Sequence, residues 1–133
     1  MESEVSQDSQ VLERLQVLGV ELLTEWDTLI FLSRHGASLC TAAQIAQLIG
    51  YDKAEIGLAL HKLDTLGLIQ RSRISQGIRF YRFSAPVEPS RQSSLSELMD
   101  LARSRAGRLL LVKHLKRPTF VLRRRREGGL RLA

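Results

Sequence analysis

The most constraining feature of the sequence is a pair of short helices separated by only three residues. Thr41 and Gln44 have the spacing of a capping box, in which two side chains satisfy the free amides at a helix start, and the helix they predict ends at Gly50. Asp52 begins a second capped helix that ends at Gly67. The apolar face of the second helix is predicted to comprise Ile56, Ala59, Leu60, Leu63 and Leu66. Two amphipathic helices this close in sequence form a tight corner.

After Gly67 the spacing of apolar residues changes from the helical period to alternation, which is typical of strands. Residues 69–74 and 78–83 are β-branched, aromatic and alternating. Between them, Ser75, Gln76 and Gly77 predict a three-residue hairpin loop, with glycine at the position that needs a positive φ. We call this predicted β-hairpin the wing.

Two helices are predicted before this unit. Thr24 has the residue type and position of an N-cap for a helix that ends near His35. Residues 1–9 have the composition of a ragged acidic end, and apolar residues then recur with helical spacing from Val11 to Leu22. The resulting apolar stripe packs either on its own domain or on a second copy of the chain.

A linker and a further helix are predicted after the wing. Residues 84–94 are rich in serine and proline, which is typical of a linker or an extended strap. Ser94 and Glu97 then have the spacing of another capping box. The helix that begins there cannot continue through Pro118.

The charge of the chain is unevenly distributed. Twenty basic and fourteen acidic residues give a net charge of +6. Seven acids and one base give residues 1–27 a charge of −6, whereas eleven bases and one acid give residues 103–133 a charge of +10. A basic surface of this kind favours polyanions such as nucleic acid.

Several classes of protein are excluded by composition. The single cysteine, Cys40, rules out a disulfide framework and a cysteine-based zinc cluster, and the three histidines lack the spacing of metal ligands. We therefore expect no metal and no cofactor. Because no phosphate-binding glycine loop or nucleophile elbow is found, we expect no enzymatic activity. The first ten residues are too polar for a signal peptide and the longest apolar run is too short for a membrane span, so a cytoplasmic chain is expected.

The order of the predicted elements within residues 24–84 is helix, short strand, helix, turn, helix and hairpin. This segment resembles the winged helix-turn-helix transcriptional regulators of bacteria and archaea, in particular the MarR-like and ArsR-like groups. Most of the resemblance lies in the stretch TAAQIAQLIGYDKAEIGLALHKLDTLGLI, where Ala46 is the small residue at which the two helices cross. It implies a mainly α-helical fold with a small β-hairpin, a winged helix-turn-helix core and extra N- and C-terminal helices. The corresponding domain prediction is an acidic N-terminal segment with an amphipathic helix at 1–23, a winged-helix domain at 24–84, a linker at 85–93, a C-terminal helix at 94–117 and a basic tail at 118–133.

The resemblance implies that residues 52–66 form the helix that enters the major groove of DNA. The helix start at Thr41 would lie over a phosphate, and arginines of the wing would reach the neighbouring minor groove or backbone. The expected DNA contacts are Thr41, Lys53, Ala54, Gly57, His61, Lys62, Arg71, Arg73, Gln76 and Arg79. Glycine in a helix interior costs about 1 kcal/mol relative to alanine. Gly57 therefore indicates the close approach of either DNA or a partner protein, and an exposed Leu58 beside it would suit a protein.

The resemblance also implies a homodimer that reads a palindromic site on double-stranded DNA. The expected dimer helices are Val11–Leu22 and Leu95–Leu110, and the acids of the first helix are expected to pair with Arg103, Arg105 and Arg108. Such pairing would screen the basic tail, so that deletion of residues 1–22 would tighten non-specific DNA binding.

The C-terminal tail contains a run of arginines. Arg123, Arg124, Arg125 and Arg126 are predicted to contact phosphates without regard to base sequence. The function predicted for the whole chain is a DNA-binding transcriptional regulator. The alternative is a winged-helix interaction or adaptor module that binds a protein partner through Gly57 and Leu58.

Overall fold

The architecture combines six helices with a small three-stranded sheet in a computed structural model, which describes residues 2–36 and 38–117, with side chains from Gln7 onward. The helices are α1 (Glu2–Leu18), α2 (Leu23–Arg34), α3 (Ala42–Ile49), α4 (Lys53–Thr65), α5 (Pro89–Leu101) and α6 (Arg105–Lys113). The strands are β1 (Cys40–Thr41), β2 (Ile69–Arg71) and β3 (Phe80–Phe83). The predicted fold class is confirmed. The predicted contacts Arg123 to Arg126 lie outside the described residues.

The sheet is antiparallel, with β3 between β1 and β2. Cys40 pairs with Tyr81 on one side of β3, and Ile69 pairs with Phe83 on the other. The short strand before α3 is thereby joined to the wing, so the helix-turn-helix and the hairpin form one unit.

The tip of the wing differs from the prediction. Ser75 and Ile78 exchange two backbone hydrogen bonds of 2.9 Å, so the loop has two residues rather than three. Gln76 and Gly77 both have positive φ, at 54° and 75°, which is the type I′ geometry that matches the twist of the strands. Between the Ser75–Ile78 pair and the Arg71–Tyr81 pair, the strand before the turn has three residues, 72–74, and the strand after it has two, 79–80. The strand before the turn therefore carries a bulge.

Helix α1 belongs to the same core as the helix-turn-helix. Val11, Leu15 and Leu18 are buried, and α1 packs mainly against α5, where Leu95 and Leu98 are also buried. The apolar stripe therefore packs on its own domain and is not available to a second copy. The boundary predicted at residue 23 does not separate two folding units.

The start of α2 corrects the predicted N-cap. Thr24 lies inside the first turn and is buried, while the helix begins at Leu23. Oε1 of Glu25 accepts hydrogen bonds from the backbone amides of Glu21 and Leu22, at 2.9 and 3.1 Å. A carboxylate from the first turn thus binds the two backbone amides that precede the helix, and no threonine side chain serves as the cap. Similarly, α1 begins at Glu2, so the acidic residues 2–9 are helical and not ragged.

The linker predicted at 85–93 ends earlier, at residue 88, and the single helix predicted at 94–117 is wrong. Helix α5 begins at Pro89, because a proline in the first turn gives up no hydrogen bond and has a helical φ. Ser94, the predicted cap, is buried within α5. The chain then breaks between Leu101 and Arg105. The new helix is capped by Ser104, whose hydroxyl accepts from the amide of Gly107 at 2.9 Å.

Candidate nucleic-acid interface

The corner between α3 and α4 forms as predicted. The Thr41 hydroxyl accepts from the amide of Gln44 at 3.1 Å, and the Gln44 side chain accepts from the amide of Thr41 at 2.9 Å, which confirms the capping box. Gly50 ends α3 in the left-handed conformation, with a φ of 81°. Ala46 and Ile56 are buried where the two helices meet. These local features hold α4 with one face toward the core and one toward solvent.

The outward face of α4 is the one expected from the sequence. Lys53, Ala54, Gly57 and His61 are exposed on it. Leu58 is also exposed, with 57% of its surface accessible. A Cβ atom added at Gly57 would meet nothing within 4 Å beyond its own turn of α4. Nothing within the described fold therefore requires glycine at this position.

Lys62 is placed differently from the other predicted contacts on α4. Its Nζ lies 2.8 Å from Oε1 of Glu21 and 3.7 Å from Oε2 of Glu25, at the connection between α1 and α2. The hydrogen bond from Lys62 lowers the pKa of Glu21, and the same bond raises the pKa of Lys62. Lys62 thus links α4 to the α1–α2 connection, which the spacing within α4 gave no means of predicting.

The arginines of the wing fall into two groups. Arg71 forms an ion pair with Asp64 on α4, at 3.2 Å, and Arg82, which was not predicted, donates two hydrogen bonds to Gln70 across the strands at 3.0 and 2.7 Å. These two hold the base of the hairpin. Arg73 near the tip is exposed, and the buried Nε of Arg79 has no hydrogen-bond partner among the described residues. Gln76 lies at the tip itself and is exposed.

A hydrogen bond that the sequence did not reveal ties α2 to the turn before α4. The Tyr51 hydroxyl donates to Oδ2 of Asp27 at 2.6 Å. Burial raises the pKa of Asp27, whereas the hydrogen bond from Tyr51 opposes that rise. Burial and the neighbouring Asp27 also raise the pKa of Tyr51, so its hydroxyl stays protonated and keeps donating. Asp27 and Tyr51 are 24 positions apart, so no local sequence pattern predicts this pair.

The Asp27–Tyr51 pair predicts a pH dependence of stability. Because the folded-state pKa of Asp27 is raised above 3.8, the folded chain holds this proton more tightly than the unfolded chain. Its contribution to stability is therefore fully present at low pH and is lost as the pH rises through the raised pKa. We expect wild type to lose stability relative to Asp27→Asn as the pH rises above the ordinary pKa of an aspartate, in urea denaturation followed by circular dichroism.

Tyr51→Phe is the matched variant for that measurement. It removes the hydrogen bond that favours the carboxylate, so the loss of stability with rising pH should become steeper than in wild type. Parallel profiles for wild type and Asp27→Asn would contradict the assignment.

Asp8 on α1 has partners other than the predicted ones. Oδ1 of Asp8 lies 2.7 Å from Nε2 of His114 and 3.4 Å from Nζ of Lys113, and the His114 hydrogen bond lowers the pKa of Asp8. Arg108 instead donates to the backbone carbonyls of residues 102 and 103. A further ion pair, between Arg14 and Glu97, places the base on α1 and the acid on α5. The predicted pairing with Arg103, Arg105 and Arg108 is thus replaced by contacts to the end of α6.

Other kinds of site find little support in the described part of the chain. Within residues 2–36 and 38–117, no group of three potential ligands could hold a metal ion. Cys40 is buried, and burial raises the pKa of its thiol, which keeps the sulfur protonated. None of the described helices combines the length and apolar character needed to cross a membrane.

Comparisons with known proteins agree with this geometry. The sequence model of the MarR family matches residues 18–76, which run from the end of α1 to the tip of the wing. No curated protein matches the chain significantly. Among solved structures, a point mutant of S. aureus MepR bound to an oligodeoxyribonucleotide is 15% identical, with a TM-score of 0.54 over 97% of this chain and 91% of that one.

Two further solved structures are similar to this chain. A probable transcriptional regulator from Pseudomonas aeruginosa is 24% identical, with a TM-score of 0.50 over 97% of this chain and 93% of that one. A cysteine-to-serine mutant of Lactococcus lactis ZitR is 21% identical, with a TM-score of 0.42 over 68% of this chain and 67% of that one. The capped corner and the hairpin show a winged helix-turn-helix fold, and residues 18–76, which contain both, are similar to the MarR family.

Proposed function

We propose that this chain is a DNA-binding transcriptional regulator that contacts duplex DNA through the outward face of α4 and through the wing. The observation that carries the proposal is the combination of a free, glycine-containing helix face with a basic hairpin beside it. Lys53, Ala54, Gly57 and His61 lie on that face, and a Cβ added at Gly57 would meet nothing within 4 Å beyond its own turn of α4. The major groove is wide enough to admit such a helix, and a missing side chain lets its backbone approach base edges.

The charges around α4 support the same partner. Residues 65–87 contain four arginines and no acid, so the wing is purely cationic in its ionised groups. The start of α3, next to Thr41, is the positive end of the helix dipole, which favours a phosphate. We assign phosphate contacts to Thr41, Arg73, Gln76 and Arg79, and base-edge contacts to Lys53, Ala54, Gly57 and His61. Arg71 and Lys62 then act by holding the wing and α4 in place through Asp64 and Glu21.

The finer proposal is a dimer on a palindromic site. The faces of α1 and α5 that were expected to meet a second copy are buried within the chain, so the dimer must use other faces. Apolar residues remain exposed on α1 and α6, namely Leu12, Val17, Leu109 and Val112. To read a palindromic site, a dimer formed through these residues must hold its two α4 helices about 34 Å apart along one side of the duplex. The arginines at 123 to 126 would add sequence-independent phosphate contacts.

A second candidate function is a protein-interaction module. It is favoured by the exposed Leu58 on α4 and by Leu48 on α3, which is 68% exposed. Apolar side chains on this surface would suit a partner protein better than a solvated helix.

A single experiment separates the two functions. A duplex is selected on the full-length chain from a random-sequence pool, and its affinity is measured by fluorescence anisotropy at several salt concentrations. Lys53→Ala with His61→Ala should weaken binding of the selected duplex by about 10- to 100-fold, because base-edge contacts are lost. A scrambled duplex should be affected by about twofold, since only phosphate contacts remain there. Sedimentation of the complex should give two chains per duplex.

The matched control replaces the same two residue types elsewhere. Lys113→Ala with His35→Ala changes an exposed lysine on α6 and an exposed histidine after α2, and it should leave binding nearly unchanged. Failure to enrich any duplex, or equal losses on selected and scrambled duplexes, would reject sequence-specific regulation and favour the interaction module.

A further inference from the structure

The tip of the wing carries two exposed isoleucines that the proposed DNA contacts do not use. Ile74 is 63% exposed and Ile78 is 45% exposed, and both lie within two residues of the turn. An isolated exposed apolar side chain needs no explanation. Two large β-branched residues beside the same turn do need an explanation. Each exposes apolar surface to water, at a position where a polar residue would allow the same turn.

The geometry of the hairpin gives these side chains opposite directions. Ile78 pairs with Ser75, and Ile74 directly precedes Ser75. Because successive residues of a strand face opposite sides, Ile74 and Ile78 lie on the two faces of the ribbon. The tight type I′ turn at Gln76 and Gly77 keeps the tip only two residues long. The end of the wing is therefore a narrow wedge with an apolar side chain on each face.

Charge indicates which partner such a wedge fits. Arg73 and Arg79 directly flank the isoleucines, and the stretch 65–87 contains no acid to oppose them. Cations on either side of an apolar tip match a groove with phosphates on its rims and sugars and base edges within it. An apolar pocket on a protein would satisfy the isoleucines but would leave these arginines without acceptors.

We propose that Ile74 and Ile78 insert into the minor groove of DNA beside the site that α4 contacts, and that they discriminate against the 2-amino group of guanine. This proposal rests on the DNA-binding function proposed above. Minor-groove proteins use apolar wedges of this kind to part adjacent base pairs. In that groove the guanine amino group is the one donor that distinguishes G·C from A·T pairs, and an apolar side chain has no acceptor for it. The wing thereby contributes sequence preference, whereas arginine contacts alone would contribute only affinity.

The test uses three alternating duplexes of equal length, namely d(A-T), d(I-C) and d(G-C). An inosine–cytosine pair presents the major groove of G·C and the minor groove of A·T. The full-length chain should bind d(I-C) about tenfold more tightly than d(G-C), because these two duplexes present the same major groove to α4 and differ only in the minor groove. It should also bind d(A-T) more tightly than d(G-C). Ile74→Ser with Ile78→Ser should reduce that preference to less than about twofold while the variant still binds d(G-C).

Val87→Ser is the matched control, because Val87 is an exposed β-branched residue outside the hairpin. It should keep the preference of wild type. Binding of d(I-C) as weak as that of d(G-C) would overturn minor-groove insertion, because the preference would then come from the major groove. A preference that survives the two isoleucine substitutions, or wild-type binding that is equal on all three duplexes, would also overturn it and would leave the proposed function intact. Wild type that binds none of the three and enriches nothing from the random pool would reject the proposed function itself.

Discussion

Gly107→Ala should lower the free energy of unfolding by about 3 kcal/mol, because the added methyl group has no space between α5 and α6. A Cβ atom at this position would overlap the carbonyl oxygen of Leu101 and would lie 2.7 Å from the carbonyl carbon. Both atoms belong to the backbone at the end of α5, so no side chain can rotate away to relieve the clash. The corner between the two helices would have to open and expose Leu98 and Leu111, which are buried beside it.

Gly57→Ala is the matched control, and its effect should have the opposite sign. Gly57 lies within α4, where alanine stabilises a helix by about 1 kcal/mol, and a Cβ there meets nothing within 4 Å beyond its own turn. Both variants are measured by urea denaturation followed by circular dichroism. Equal effects of the two alanines would contradict the close approach of α6 to Leu101. The Gly57→Ala variant also separates an effect on DNA binding from an effect on stability. Any loss of DNA affinity would occur in a more stable protein, so unfolding could not explain it.

Leu15→Ala should lower the free energy of unfolding by about 3 kcal/mol, the usual cost of a cavity in a packed core. Leu15 lies on α1, is 2% exposed and belongs to the hydrophobic core. The charge of α1 suggests a detachable acidic screen, whose deletion would tighten DNA binding. The burial of its apolar stripe indicates instead that deletion of residues 1–22 removes part of the core, so the shortened chain should unfold rather than bind more tightly.

Leu12→Ala provides the comparison within the same helix. Leu12 is 43% exposed, so its truncation removes little buried surface and should cost less than about 1 kcal/mol. Thermal denaturation of both variants and of wild type gives the two differences directly. Similar small losses for Leu12 and Leu15 would mean that α1 is not part of the core.

The helix-turn-helix could be predicted closely because its determinants are local. The capping box joins Thr41 to Gln44, and the left-handed Gly50 ends the same helix. The apolar period that buries Ile56 follows within a few residues. Each of these signals acts over one or two helical turns, so the sequence pattern and the hydrogen bonds describe the same residues.

The C-terminal helices could not be predicted in this way. The serine and glutamate at 94 and 97 match the spacing of a capping box, yet the helix had already begun at Pro89. The break after Leu101 depends on the approach of Gly107 to its carbonyl, which exists only once α6 has folded back. A glycine in a helical pattern predicts a less stable helix, but it does not predict where the chain turns. The absence of a side chain matters for the turn only where another backbone segment packs against the glycine.

In the candidate site, too, local features could be predicted from the sequence and long-range contacts could not. The outward face of α4 followed from the helical period, so the exposure of Lys53, Gly57 and His61 could be predicted. Lys62 belongs to the same helix, but its partner Glu21 is 41 residues away, and Asp27 is 24 residues from Tyr51. Long-range pairs of this kind carry no periodic signal.

The sequence by itself determined the type and order of the central elements, because caps, turns and amphipathic periods are satisfied by neighbours in the chain. Only the tertiary structure decided that the stripe of α1 packs against α5, that the C-terminal segment bends at Leu101, and that Glu21 holds Lys62 beside α4. An apolar stripe or a charge specifies what kind of surface it requires. Which part of the chain packs against that stripe, or pairs with that charge, depends on how all the helices pack into one core. That packing is a property of the whole chain.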